Sequence, residues 1–291
     1  MTQNAPETQA EPAGIDSHVY ILDPARFAYA EGIGYRPLPH EIGPAAQLME
    51  DASAQGFWGA LAVQSSPYAY DNRAVIDAAH NSAGRIRFIG MFRPATTAAD
   101  LARLMPQGLV GCRFNLVDFD GDGLVHAAAG PLLSALSELR LWTEVTASPR
   151  NWAELIPMFR AHRSPLLVDH LGGCLAGGQG PLLPDHDTLR RLADLEDVCL
   201  KISSVNRISM QREAFSDLDD LVADAVDLFG LDRLVWGSGW PFINQARPVD
   251  YTALTDALRR WFPDRDDRHR LIWDTPSRLF GFQRPGSEKR D

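Results

Sequence analysis

Short apolar or β-branched runs alternate along most of this chain with longer stretches in which apolar residues recur every third or fourth position. The runs predict strands at residues 15–20, 59–64, 87–91, 109–114, 141–146, 165–169, 198–202 and 233–237. The longer stretches predict helices at 44–54, 72–81, 97–105, 130–140, 149–161, 187–194 and 215–229. Two of these carry start signals. Thr97 stands before Ala98, Ala99 and Asp100 as a side chain able to cap a first turn, and Ser148 precedes Pro149, which suits the first helical position.

Strict alternation of buried-type strands with helices calls for a parallel sheet. Eight such units in about 260 residues call for a single closed (β/α)8 TIM barrel of the α/β class. An open dinucleotide-binding sheet is the alternative, and no GxGxxG follows the first strand to support it. Helices at 251–261 and 267–280 then form a C-terminal extension, expected on the outside of the barrel. The longest irregular stretches, 22–42 and 171–184, both follow strands, where a barrel of this type builds its site. With no linker, charge block or repeat to divide it, the chain reads as a disordered leader at 1–13, a barrel at 14–282 and a disordered tail at 283–291.

Composition removes several functions. The 291 residues are 45% hydrophobic and 23% charged, the make-up of a soluble globular protein. A formal charge of −10 repels nucleic acid, and no basic run offsets it. No apolar run approaches the ~18 to 20 residues of a membrane span, and 1–13 has neither a basic region nor an apolar stretch, so the expected location is cytoplasmic. Cys112, Cys174 and Cys199 have no CxxC spacing and read as packed, reduced thiols. Among 28 lysines and arginines only Lys201 and Lys289 are lysines, which makes Lys201 the one lysine in the body of the chain. A homo-oligomer stays open.

In a barrel, side chains at the C-terminal ends of the strands converge on one mouth. Those positions hold Asp16, His18 and Tyr20 on the first strand, Ser65 and Ser66 after the second, and Arg93 after the third. Arg113 and Asn115 lie on the fourth, Glu144 on the fifth, Asp169 and His170 after the sixth, and Lys201 and Ser203 on the seventh. A strand period of two puts Asp16, His18 and Tyr20 on one face. That triplet is either a satisfied buried histidine with its neighbours or, with His170 in the same layer, a pair of imidazoles that polarises one carbonyl. Arg113 among apolar neighbours must meet a carboxylate, the protein's own or that of an anionic substrate. Lys201 pairs with Asp16 or Asp169 as scaffold, or faces the ligand. Aromatic residues near the mouth, Tyr68 and Trp240 among them, point to a planar, unsaturated or aromatic-like ligand.

The segments Asp16-Ser-His18-Val-Tyr20, 63–72, Gly111-Cys-Arg-Phe-Asn115, Val168-Asp-His170, Val235-Trp-Gly-Ser-Gly-Trp-Pro241 and 273–282 follow one another as in a known family. From about Ile15 to Phe282 the chain resembles the amidohydrolase family of metal-dependent-hydrolase fold, near the branch of 2-pyrone-4,6-dicarboxylate hydrolase and related lactonases. The resemblance implies a barrel that hydrolyses a lactone ring, in a branch that works without a metal. It implies that His18 and His170 polarise the lactone carbonyl, that Arg113 grips a substrate carboxylate, and that Ser65 or Ser66 places a hydroxyl near the substrate.

Two positions depart from the family pattern. Tyr20 stands where the second histidine of His-x-His is expected, and Gly239 where an aspartate activates water. Without them, His18 and His170 are too few for a three- or four-ligand zinc site, so the expectation is no catalytic metal and no cofactor. Tyr20 is either a filler or a hydrogen-bond donor to a developing oxyanion. Glu144, raised in pKa by burial, is the candidate replacement base. Three readings follow: a lactonase-like hydrolase in degradation or secondary metabolism, a non-hydrolytic isomerase, cyclase or decarboxylase, and a catalytically dead ligand-binding or partner subunit.

Overall fold

Each of the eight predicted strands joins one parallel sheet, because both faces of almost every residue in it are covered. The structure is a computed structural model and describes residues 14–117, 131–176, 180–211, 214–245 and 248–284. Its strands are β1 (Gly14–Val19), β2 (Phe57–Val63), β3 (Ile86–Gly90), β4 (Leu109–Asn115), β5 (Trp142–Thr146), β6 (Leu166–Val168), β7 (Cys174–Ala176), β8 (Gly180–Leu182), β9 (Val198–Ser203) and β10 (Leu234–Gly237). The parallel sheet runs β1-β2-β3-β4-β5-β6-β9-β10 with helices between successive strands, a (β/α)8 barrel. β7 and β8 form a small antiparallel hairpin within the stretch expected to be irregular after β6. The leader lies outside the described residues, as do 285–291 of the tail.

Both predicted start signals operate. The Thr97 hydroxyl accepts from the Asp100 N–H while the Asp100 carboxylate reaches back to the Thr97 N–H, and ahead of Pro149 both the N–H and the hydroxyl of Ser148 donate to Asn151 Oδ1. Among the described residues no helix is long and apolar enough to cross a membrane.

The seam between β1 and β10 closes just past the end of β10. The Gly239 N–H donates to the His18 carbonyl at 2.8 Å, and the Tyr20 N–H donates to the Trp240 carbonyl at 2.7 Å. The strands approach so closely that a Cβ on Gly237 would stand 2.5 Å from that of His18, so only glycine fits there.

One expectation about β1 fails at this seam. Asp16 is in register with Ala60 and Val19 with Ala62, so three steps on β1 match two on β2. This one-residue bulge reverses the alternation. Asp16 is thereby separated from His18 and Tyr20. Its carboxylate accepts from the N–H groups of Ser238 and His18 and from the hydroxyl of Tyr251, on the helix Tyr251–Trp261, while His18 and Tyr20 face the strands across the barrel. Asp16 therefore holds the seam together, and burial raises its pKa.

The C-terminal extension also differs from its expected place. It runs as one helical stretch from Arg265 through a π turn at Arg270–Asp274 into Thr275–Phe280. Phe280 and Phe282 then pack against Ile15, Leu61, Ile89, Leu167, Cys199 and Val235, an apolar layer drawn from six strands. The extension stops one end of the barrel instead of flanking it, because this layer needs an apolar cover. The other end carries the charged and polar side chains.

Candidate active site

One pleat along from the apolar layer, the strands present a buried charged cluster. Leu167 is followed by Asp169, and Cys199 by Lys201. Glu144 on β5 lies in register with Arg113 on β4. All four charged side chains are at most 3% exposed. The Lys201 ammonium is in contact with Glu144 Oε2 and lies 3.7 Å from Asp169 Oδ1. The Arg113 Nε lies 3.8 Å from Glu144 Oε1 and 3.9 Å from Asp169 Oδ2. Two carboxyl groups thus face two cations, an arrangement tolerable in a dry interior because the charges balance. Thr146 donates to Asp169 Oδ2 at 2.6 Å and accepts from Arg113 Nη2 at 3.2 Å.

The two carboxyls are not equivalent. Burial pushes Glu144 up to about 7, with the negative Asp169 adding to the effect. Burial also acts to raise Asp169, but its surroundings, the Lys201 ammonium among them, outweigh it and hold that carboxyl well below its ordinary value. Asp169 is the permanent anion, and Glu144 is the more easily protonated of the two.

His18 and Tyr20 sit against this cluster. Burial lowers the His18 pKa to about 3, so its ring is neutral and holds one proton. The Lys201 ammonium lies 3.3 Å from Nδ1 and has no lone pair to offer, so Nδ1 accepts. Asp169 Oδ1 is 3.4 Å from the same nitrogen, a slightly longer contact than that of Lys201. Nε2–H therefore donates to the Tyr20 hydroxyl at 2.8 Å. Arg113 Nη2 donates to the same oxygen at 3.3 Å. Burial raises the Tyr20 pKa, so the phenol keeps its proton, with its oxygen already accepting two bonds.

His170 completes the layer, its ring centroid 4.9 Å from that of His18. Nδ1 faces the Ser203 side chain at 3.0 Å and the Ser203 carbonyl at 3.3 Å. Nε2 is buried with no hydrogen-bond partner among the described residues. Burial lowers the pKa of this ring well below the usual histidine value.

The other expected site residues are placed as follows. Ser65 is buried with its hydroxyl unpartnered among the described residues, and the half-buried Ser66 accepts from Asn115 Nδ2 at 3.1 Å. Tyr68 is buried and its hydroxyl accepts from the Asp23 N–H at 2.9 Å. Arg93 is exposed, its guanidinium 4.6 Å from the centre of the Tyr70 ring. The Trp240 indole N–H donates to Asp51 on the first helix at 3.0 Å, and the ring packs onto Gly43, away from the histidines. Lys201 meets Glu144 and Asp169, not Asp16.

Sequence reasoning missed Arg207. It sits on the short helix Val205–Ile208 after β9, is 7% exposed, and its charge adds to burial in lowering His170 while partly opposing the rise that burial gives Tyr20 and Tyr35. The available signal was an arginine just after a strand, four residues beyond Ser203. At the rim, the buried Glu41 carboxylate accepts from the Tyr35 hydroxyl and from the N–H groups of Leu38 at 2.6 Å and Gln245 at 3.0 Å. This ties the loop after β1 to the loop after β10.

Among the described residues, one group is spaced to share a cation: His18, Asp169 and His170 offer donor atoms within 4.8 Å of one another. The set does not fit a metal as arranged. His18 Nδ1 and Asp169 Oδ1 already face the Lys201 ammonium, and His18 Nε2 is committed to Tyr20. Of the set, His170 Nε2 alone faces neither Lys201 nor Tyr20, whereas a catalytic zinc site takes three protein ligands. A dication would also add its full charge to a cluster already balanced.

Gly239 has φ +82°, and a Cβ there would stand 2.3 Å from Ser204 Oγ. Ser204 is itself buried and left-handed, with φ 48°. The hydroxyl of Ser204 thus fills the room that a side chain at 239 would need. Gly239→Asp is expected to cost on the order of 1–3 kcal/mol from the backbone region alone. Ser204→Gly in the same chain should recover part of the loss. Thermal melts of the three proteins check this, and a Gly239→Asp chain as stable as its parent contradicts it.

The sequence profile described as Amidohydrolase matches residues 15–282. A 4-sulfomuconolactone hydrolase from Rhizobium radiobacter is 29% identical over 287 residues, covering 96% of this chain and 94% of that protein. A 2-pyrone-4,6-dicarboxylate hydrolase from Comamonas testosteroni is 26% identical over 290 residues, covering 92% and 90%. The crystal structure of a putative 2-pyrone-4,6-dicarboxylic acid hydrolase from Pseudomonas putida superposes with a TM-score of 0.80 at 24% identity, covering 95% of this chain and all of that one, and shares its fold. With the profile match spanning the whole barrel, the chain belongs to the amidohydrolase family.

Proposed function

We propose that this protein hydrolyses a lactone or a related cyclic carbonyl compound bearing an anionic group, without a metal. The observation that carries this reading is the Tyr20 hydroxyl. Its oxygen accepts from His18 Nε2 and Arg113 Nη2, so its own proton is left to donate to a substrate oxygen. A donor backed by a cation stabilises the charge that develops on a carbonyl oxygen under attack. The related sulfomuconolactone and pyrone dicarboxylate hydrolases support the lactone class. Arg207, whose charge reaches both Tyr20 and His170, supports an anionic group beside the reacting carbonyl.

Ring opening of a panel of pyrones and muconolactones, with and without chelator, tests the reading. Turnover that persists in chelator is the expected result. Absence of any lactone turnover removes the hydrolase reading, and turnover that disappears in chelator and returns with metal removes metal independence. The missing side chain at Gly239 favours one second reading, a non-hydrolytic isomerase, cyclase or decarboxylase on the same barrel. Incorporation of labelled solvent oxygen into the product separates the two. Tight binding with no turnover of any kind points to a ligand-binding subunit.

A further inference from the structure

We propose that His170, through Nε2, is the general base of this site, the role left open by Gly239; this rests on the lactone reading and deepens it. The inference starts from the proton on the ring. A backbone carbonyl can only accept, so the Ser203 carbonyl 3.3 Å from Nδ1 requires a proton on Nδ1. The Ser203 hydroxyl oxygen, which accepts from the His170 backbone N–H at 3.3 Å, lies 3.0 Å from the same ring nitrogen and takes the same proton equally well. The opposite tautomer would set a lone pair on Nδ1 against the lone pairs of that carbonyl. In a neutral ring the free lone pair is therefore on Nε2.

That lone pair is buried and has no partner among the described residues. It cannot polarise a carbonyl, because polarisation needs an N–H. It can accept a proton from water. The ring stands beside His18, and His18 donates to Tyr20, so acceptor and donor occupy one layer. The competing base is less suitable: Glu144 Oε2 is held by Lys201 and Oε1 faces the Arg113 guanidinium at 3.8 Å, one pleat deeper than Thr146.

The backbone is built to hold this ring. His170 and Leu171 are consecutive non-glycine residues in the left-handed region, with φ 52° and 56°. Such pairs persist only where surrounding bonds fix them. Here the Gly173 N–H donates to the His170 carbonyl at 2.9 Å, and the Trp152 indole donates to the Gly172 carbonyl at 2.8 Å.

In the step, Nε2 takes a proton from water as the water oxygen bonds to the lactone carbonyl carbon. The carbonyl π pair moves onto its oxygen, where Tyr20 donates. Collapse reforms the carbonyl and breaks the bond to the ring oxygen, which leaves with the proton returned by Nε2. One lactone and one water give one hydroxy acid or its keto form. Ser203 acts as a positioning residue, fixing the tautomer without touching substrate.

Long-range proton–nitrogen NMR of the whole protein labelled in its histidine nitrogens reads the tautomer directly, with no variant and no substrate. A proton on Nδ1 and a lone pair on Nε2 of His170 is expected, and a proton on Nε2 overturns the proposal. Ser203→Ala keeps the backbone carbonyl and should leave the proton on Nδ1, and its transfer to Nε2 in that variant removes the carbonyl from its role. On a lactone that the parent opens, His170→Gln should lower kcat by about 10²- to 10⁴-fold with KM little changed, and imidazole should restore part of the rate to His170→Gly. A His170→Gln enzyme within a few-fold of the parent kcat overturns the base assignment while the lactone reading stands. If the parent opens no lactone, the lactone reading fails and the tautomer alone decides the base.

Discussion

Lys201→Met should lower the stability of the barrel by about 3–5 kcal/mol, the usual effect of removing one partner from a buried ion pair. The ammonium is completely buried, touches Glu144, and lies 3.7 Å from Asp169 and 3.3 Å from His18 Nδ1. Without it, two carboxyls share Arg113 alone. At roughly 2–4 °C per kcal/mol for a domain approaching this size, the melting temperature should fall on the order of 10 °C. The loss should be smaller at pH 6 than at pH 8, because Glu144, already pushed up to about 7, can shed the uncompensated charge by taking a proton. Adding Glu144→Gln should return most of the stability, since it removes the orphaned charge. A Lys201→Met chain that melts with its parent would show that the cluster is solvated and its charges independent.

Tyr20→Phe should lower kcat on an accepted lactone by about 10²- to 10³-fold, the typical effect of deleting one oxyanion donor. The ring stays and only the hydroxyl goes, so KM should move little. The variant also deprives His18 Nε2 and Arg113 Nη2 of their shared acceptor, so a modest fall in melting temperature should accompany the rate loss. A kcat within about threefold of the parent, with folding intact, would reduce Tyr20 to a space-filling residue in the place of a histidine. Measured beside His170→Gln, the two losses should combine less than additively, because donor and base act on one transition state.

The strands and most helices were legible because buried parallel strands and amphipathic helices write their periods directly into the sequence. The bulge after Asp16 was not legible. It depends on where β1 slips against β2, and nothing local in Asp16-Ser-His18 signals the extra residue. The C-terminal plug was hidden for a similar reason: Phe280 and Phe282 find their partners on six distant strands. At the site, residue types pointed to histidines and an arginine at the strand ends, but not to who pairs with whom. Lys201 meets Glu144 across 57 positions, and His170 is turned by Ser203 across 33. Arg207 escaped notice because one arginine beyond a strand end is ordinary until the barrel closes around it.

The burial of Lys201 makes it a reporter. It is the one lysine among the described residues, and its amine is sealed between two strands and a histidine. An amine-acylating reagent applied to the native protein can modify this position only in molecules whose barrel has come apart. The fraction of acylated Lys201 in a peptide map, followed over time and denaturant, therefore counts opening events one residue deep in the charged layer.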